Sequence, residues 1–172
     1  MRKGSTLTAE RLREVLSYCP ITGVFRWRVT LGQRALEGQV AGYVKEMLAG
    51  RLVYIIGLDK VQYYASHLAW LYVLGTWPAQ EVDHRNGDTL DQTWTNLRDV
   101  SKMVNLQNVR RCRRTKKYTD LLGAFYSKQH GRWIAKISAN RVVHYLGIYD
   151  TAEEAHQHYL TAKRRLHEGN TL

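Results

Sequence analysis

Acidic residues are scarce in this chain. Only 15 Asp and Glu stand against 26 Lys and Arg, a formal net charge of +11 over 172 residues. Proline is nearly absent, with 2, and hydrophobic residues make up 44%, which excludes a disordered tail and points to a folded globular protein. The 2 cysteines, Cys19 and Cys112, lie far apart and form no metal-ligand spacing. That excludes a zinc ribbon and fits reduced thiols in a cytoplasm. No apolar run approaches the ~20 residues of a membrane span. No basic start leads into an apolar core and a cleavage site, so a cytoplasmic protein is expected. A basic excess of this size implies a polyanionic partner, nucleic acid or an anionic membrane. The membrane is disfavoured, because no basic helix with a strong apolar face is evident.

What is present begins with LTAERLREVLSY (7–18). Thr8 is a helix cap, Leu12, Val15 and Leu16 form an apolar stripe, and Pro20 stops the helix. GVFRWRV (23–29) alternates as a strand with Arg26 and Arg28 on its open face. Residues 40–63, rich in β-branched and aromatic side chains, fit two or three strands broken at Gly50 and Gly57. SHLAWLYVLG reads as a helix from Ser66 as N-cap to Gly75 as stop. A strand EVDH, an Asn86-Gly87 turn and a short return strand follow. A second helix, capped by Ser101, spans 101–109, giving strand, strand, helix.

Residues 110–117, RRCRRTKK, carry six basic side chains in eight positions. No core buries such a run, so it is a solvated linker or a strip lying along phosphates. The pattern then resets. GAFYSK, RWIAKIS and VVHYLGIY are three alternating strands, and Thr151 with Glu154 opens a helix through a capping box. Its apolar stripe is Ala155, Tyr159 and Ala162. The organisation expected is α+β: domain 1–109, basic linker 110–120 and C-terminal domain 121–172.

The octapeptide EVDHRNGD (81–88) is a polar surface hairpin or something more. Asp83 and His84 stand on its first strand, Asn96 lies 12 residues after His84, and Asn105 lies 9 further on. Asp and Asn offer hard oxygen donors suited to Mg²⁺. A neutral histidine accepts a proton near neutral pH. Phosphodiester hydrolysis needs both a base for water and a cation for the charge on the phosphate. Strand neighbours point to opposite faces, so Asp83 and His84 serve one phosphate only if DNA straddles the strand or the strand is distorted. Asp88 is expected to be a turn residue, His67 a structural or phosphate-contacting one, and Trp70 and Trp94 core.

DH followed by these two asparagines, within DHRNGD…TNLRD…NLQN, resembles the HNH endonuclease motif on its ββα-metal hairpin, in the branch of free-standing phage homing endonucleases. LREVLSYCPITGVFRWR and HLAWLYVLGTWP are similar to segments that precede the motif there, so the resemblance covers most of 7–109. It implies one divalent ion per active site, Mg²⁺ or Mn²⁺, held by Asp83 and Asn105. It implies His84 as general base and Asn96 holding the His84 imidazole in orientation. The products implied are a 3′-hydroxyl and a 5′-phosphate, and the compartment is a host cytoplasm if the chain is phage-encoded.

The C-terminal stretch, with its LGIYDTAEEA, resembles the APETALA-type DNA-binding domain of plant ethylene-response factors. The implied mode is a three-stranded sheet in the major groove. Alternation assigns Trp133, Ala135 and Ile137, with Phe125 and Leu146, to the helix side. Arg132, Lys136 and Ser138 take the open side with Arg141, Val143, Tyr145, Tyr126 and Lys128. The DNA contacts expected are Arg110, Arg111, Arg113, Arg114, Lys116, Lys117, Tyr126, Lys128, Arg132, Lys136, Arg141 and Tyr145. The leading expectation is a metal-dependent double-stranded DNA endonuclease of homing type, a monomer or weak dimer. The alternative is a non-catalytic DNA-binding regulator, with RNA binding third.

Overall fold

The computed structural model describes residues 7–109, 118–167 and 169–171. The basic run 110–117 therefore lies outside the described residues, and with it Arg110, Arg111, Arg113, Arg114, Lys116 and Lys117. The chain divides into two compact units, Met1–Val100 and Ser101–Leu172. The architecture is mixed α+β, with small antiparallel sheets and few helices. This division assigns the helix after the hairpin to the second unit, whereas the sequence pattern groups it with the first domain.

In the first unit, Thr8 caps helix α1 (Ala9–Val15) by accepting a hydrogen bond from Arg11 N at 3.2 Å. The helix is shorter than its apolar stripe predicts. Leu16 turns extended (φ −127°, ψ 145°), and β1 (Leu16–Tyr18) pairs antiparallel with β2 (Phe25–Trp27). The reason is packing. As a strand, Leu16 and Tyr18 both reach the core, where they meet buried Phe25 and Trp27. The next sheet has the order β3 (Tyr43–Glu46), β4 (Leu52–Leu58), β5 (Val61–Tyr64). Helix α2 (Ala65–Leu74) starts one residue before the predicted cap, so Ser66 is buried in its first turn. Gly75 ends it in the left-handed region at φ 76°, as its position predicts.

The core closes around Leu12, Val15, Leu16, Phe25, Ile56, Leu58, Leu68 and Leu71, all at 2% exposure or less. Each such side chain contributes about 1.5–3 kcal/mol by burial, and truncating one to alanine costs about 2–5 kcal/mol. Trp70 and Trp94 lie 5.1 Å apart, and Trp94 packs on the core as expected. Against this core lies the two-stranded sheet of β6 (Glu81–His84) and β7 (Leu97–Val100), anchored by Leu97 and Val82. The strands are not joined by a tight Asn-Gly turn. Residues 85–96 form a long loop between them, and of Asn86 and Gly87 only Gly87 has positive φ, 74°.

The second unit begins with α3 (Lys102–Gln107), capped by Ser101, whose hydroxyl accepts from Val104 N at 3.3 Å. The C-terminal end returns to it. Gly169 N donates to Gln107 Oε1 at 2.9 Å and Thr171 Oγ1 to Asn108 Oδ1 at 2.6 Å. The sheet β8 (Ala124–Ser127), β9 (Arg132–Ala139) and β10 (Val142–Tyr149) is antiparallel with β9 central. Helix α4 (Ala152–Leu166) starts at Thr151, whose hydroxyl accepts from Glu154 N at 3.1 Å. Ala155 buries against Ala124 and Ala135, with Trp133, Leu146 and Tyr149 around them. Tyr159 packs closely against Gly123, which has φ +73°, and a Cβ there would fall 2.0 Å from the ring.

Register corrects the predicted faces at two positions. Tyr126 pairs with Trp133 and Ala124 with Ala135, which places Tyr126 on the helix side, its ring 5.3 Å from those of Trp133 and Tyr118. Phe125 pairs with Ile134 and carries Lys136 Nζ 4.6 Å above its ring, so it belongs to the open side. A one-residue slip in β8 moves every side chain to the other face, and the aromatic-rich AFY does not fix the phase. Lys136, Tyr145, Ser138 and Val143 share the open face as predicted. Arg141 is not on β10. With Asn140 (φ 50°) it forms the two-residue turn before that strand, at φ 66°. Arg132 pairs with Asp150 at 2.7 Å, and Lys128 sits in the turn after β8.

Candidate active site

The β6–β7 sheet brings Asp83, His84 and Asn96 together, all three buried at 7–9% exposure. Asp83 pairs directly with Arg98 across the ladder, and His84 with Leu97. Alternation therefore puts Asp83 and Arg98 on one face and His84, Leu97 and Val82 on the face toward the core. The guanidinium of Arg98 grips Asp83 Oδ2 twice, from Nη2 at 2.7 Å and from Nε at 2.9 Å. Arg98 is itself largely buried, so this pair fixes the orientation of the carboxylate. Sequence spacing left Arg98 out, because a tight turn at Asn86-Gly87 would pair Asp83 near Leu90 and only the long loop brings Arg98 opposite it.

The loop 85–96 is built by short polar side chains. Asp88 N donates to Asn86 Oδ1 at 2.8 Å, Leu90 N to Asp88 Oδ1 at 2.9 Å and Thr93 N to Asp91 Oδ1 at 3.0 Å. Each is an Asx turn, in which a side-chain oxygen satisfies the backbone two residues on. Asp88 is thus a turn residue, as its position suggests. Asn86 Nδ2 also donates to Asp91 Oδ2 at 2.7 Å.

Asn96, at the end of this loop, ties its start and its middle together. Its Oδ1 accepts from Asn86 N and its Nδ2 donates to the Asp91 carbonyl, each at 2.9 Å. These bonds go to loop backbone, and the orienting contact with the His84 imidazole that the resemblance implies for Asn96 is not among them. The side chain seen against the imidazole is Gln92, whose Oε1 lies 3.4 Å from His84 Nε2. Its own Nε2 donates to the Thr89 carbonyl at 2.8 Å, which orients the amide with oxygen toward the ring. Gln92 is 5% exposed, and no spacing rule singles it out.

The loop is braced from outside. Tyr18 OH donates to the Gln92 carbonyl at 2.7 Å, Trp94 N to the Pro20 carbonyl at 2.9 Å, and Thr89 Oγ1 to the Leu52 carbonyl at 2.6 Å. Gly23, at φ +71°, lies so close that a Cβ would sit 2.5 Å from the Gln92 carbonyl carbon.

Burial is the main influence on His84 and pushes its pKa below the ordinary histidine value, while the Gln92 contact and the charge of Asp83 pull the other way. The ring is therefore neutral at neutral pH. With Nε2–H directed at Gln92 Oε1, the lone pair is on Nδ1. His67, in the first turn of α2, is 7% exposed, with its ring 5.5 Å from that of Tyr64. Neither of its ring nitrogens has a hydrogen-bond partner among the described residues. Burial first, and the charge of His84 second, push it down to about 4.

Asn105 lies in α3, half-buried, and belongs to the second compact unit. Among the described residues no three His, Cys, Asp or Glu side chains cluster as a metal cage. The Asp83 carboxylate is a hard oxygen donor of the kind Mg²⁺ takes when water and phosphate complete its shell. No helix among the described residues is long and apolar enough to cross a membrane.

Neither the curated proteins nor the solved structures include a match to the chain. Residues 63–107, from β5 through α2, the hairpin and α3, match the HNH endonuclease family model, which supports an HNH nuclease domain acting on DNA in this part of the chain.

Proposed function

We propose that the protein is a metal-dependent endonuclease that hydrolyses duplex DNA to 3′-hydroxyl and 5′-phosphate ends. The observation that carries this is the neutral, buried His84, oriented by Gln92, with the fixed carboxylate of Asp83 on the opposite face of the same strand, within the segment that matches HNH endonucleases. His84 Nδ1 takes the proton of the attacking water, because Nε2 is directed at Gln92. Asn96 keeps the loop closed on the imidazole. Asp83 would hold a Mg²⁺ or Mn²⁺ ion, which when bound supplies positive charge to the phosphate and the leaving oxygen.

The basic run 110–117 and the open face of the C-terminal sheet, with Lys136 and Tyr145, supply affinity and site choice. Arg132, Lys128 and Arg141 edge that face at strand end and turns. Major-groove binding by this sheet, in the manner of an APETALA-type domain, and a homing role for a phage-type enzyme extend the proposal. Incubating supercoiled plasmid with Mg²⁺ or with EDTA, then testing the ends with polymerase and ligase, checks it. Extendable, religatable ends formed only with metal support it. Metal-independent cutting, or 3′-phosphate ends, would sink it.

A further inference from the structure

The β3–β4 hairpin ends in Leu48, which at 97% is the most exposed large apolar side chain among the described residues. Its tip is a closed turn. Met47 N donates to the Arg51 carbonyl at 2.7 Å, Gly50 N to the Met47 carbonyl at 3.2 Å, and Gly50 takes φ +76°. Behind the tip, Val44 and Leu52 are 48% and 41% exposed on one face of the ribbon, and Met47 is 38% exposed. An isolated surface leucine needs no explanation, but an apolar tip on an ordered projection does.

The charge around it favours a polyanion. Arg51 makes no side-chain hydrogen bond or ion pair among the described residues, and Lys45 meets only the Gln62 amide, at 3.4 Å. Glu46 is the one acid in the ribbon's first strand. The hairpin also adjoins the catalytic loop. Thr89 Oγ1 is bonded to the Leu52 carbonyl, and the charge of Arg51 is felt at the His84 ring.

We propose that Leu48 is a minor-groove wedge, entering the duplex beside the phosphate to be cut and partly unstacking one base step while Arg51 and Lys45 hold flanking phosphates. Apolar tips that enter the minor groove kink DNA at a cost of a few kcal/mol per step, recovered in wrapped surface. Here the kink has a purpose. His84 and Asp83 are recessed, and a bent duplex presents a phosphate to them more sharply than a straight one.

The proposal rests on duplex DNA being the substrate, and its test keeps the two apart. A closed circular plasmid is relaxed by a metal-independent type IB topoisomerase in EDTA, with wild type, Leu48→Ala or Leu48→Met bound, and its linking number is measured against the amount of protein bound. Wild type and Leu48→Met should unwind the plasmid. Leu48→Ala, a substitution at a fully exposed position, should bind within about threefold of wild type yet lose most of the unwinding. Equal unwinding per bound Leu48→Ala, binding without unwinding by wild type, or a dimer that Leu48→Ala dissociates in sedimentation would each overturn the wedge. Unwinding without metal-dependent cleavage in a parallel Mg²⁺ reaction would leave the wedge standing and remove the nuclease. Absence of DNA binding would remove both.

Discussion

His84 serves as a base only while its ring is neutral, and burial is what keeps it so. Cleavage should therefore persist below the ordinary histidine pKa of about 6.5 and fall as pH drops through the lowered value. Gln92→Glu would place a carboxylate on Nε2 and stabilise the imidazolium. The acidic limb of the kcat/KM profile should then move to higher pH, and Gln92→Ala should lower kcat by about 10–100-fold. A profile that Gln92→Glu leaves in place would remove Gln92 from the site. His67 gives a separate signature, in stability. Its folded pKa, about 4, is below the unfolded one, so the unfolded chain binds more protons between those values. Stability should thus be full above pH 6.5 and fall towards pH 4, by about 3 kcal/mol from this ring. Urea midpoints followed by tryptophan fluorescence should show that loss in wild type and much less of it in His67→Leu. Spacing alone singles out Asp83, His84, Asn96 and Asn105, and the structure places the first three on and beside one two-stranded sheet. Gln92 and Arg98 were not legible from spacing, because their roles come from loop and register geometry.

Among the elements, the loop 85–96 carries the most consequence. Trp94 anchors it to the core, and Asx turns, Asn96 and the braces from Tyr18, Pro20 and Leu52 hold its shape. Gly23→Ala should be costly for two reasons at once. The residue must keep φ +71°, and its new methyl would strike the Gln92 and Thr93 backbone. A loss of about 1–3 kcal/mol in unfolding stability is expected, with a fall in kcat larger than any change in DNA affinity. Unchanged kcat would show that the β1–β2 turn does not brace the catalytic loop. Helix caps at Thr8, Ser101 and Thr151 were readable because their side-chain bonds are local. The division between α1 and β1 was not, because Leu16 fits a helical stripe and a strand equally and only the buried pairing with Trp27 decides. The same ambiguity put Tyr126 and Phe125 on exchanged faces. The Asn86-Gly87 signal was real but served a turn inside a longer loop.

At the scale of the whole molecule, the +11 charge should dominate affinity. If binding neutralises about 6–10 phosphates, affinity for a short duplex should weaken by at least ~10³-fold between about 50 and 200 mM salt. Fluorescence anisotropy of a labelled duplex checks this, and a flat salt response would contradict a phosphate-tracking surface. Composition made the polyanionic partner legible, and alternation the small sheets. The family match spans α3 together with the hairpin, as the spacing groups them, while the contacts count α3 with the second compact unit. The most direct measurement compares wild type with His84→Ala on supercoiled plasmid in Mg²⁺, with DNA affinity measured in parallel. Wild type should produce nicked or linear DNA, and His84→Ala should bind equally well and cut at least ~10²-fold more slowly. Equal cleavage by both proteins would show that His84 is not the base and that the chemistry resides elsewhere.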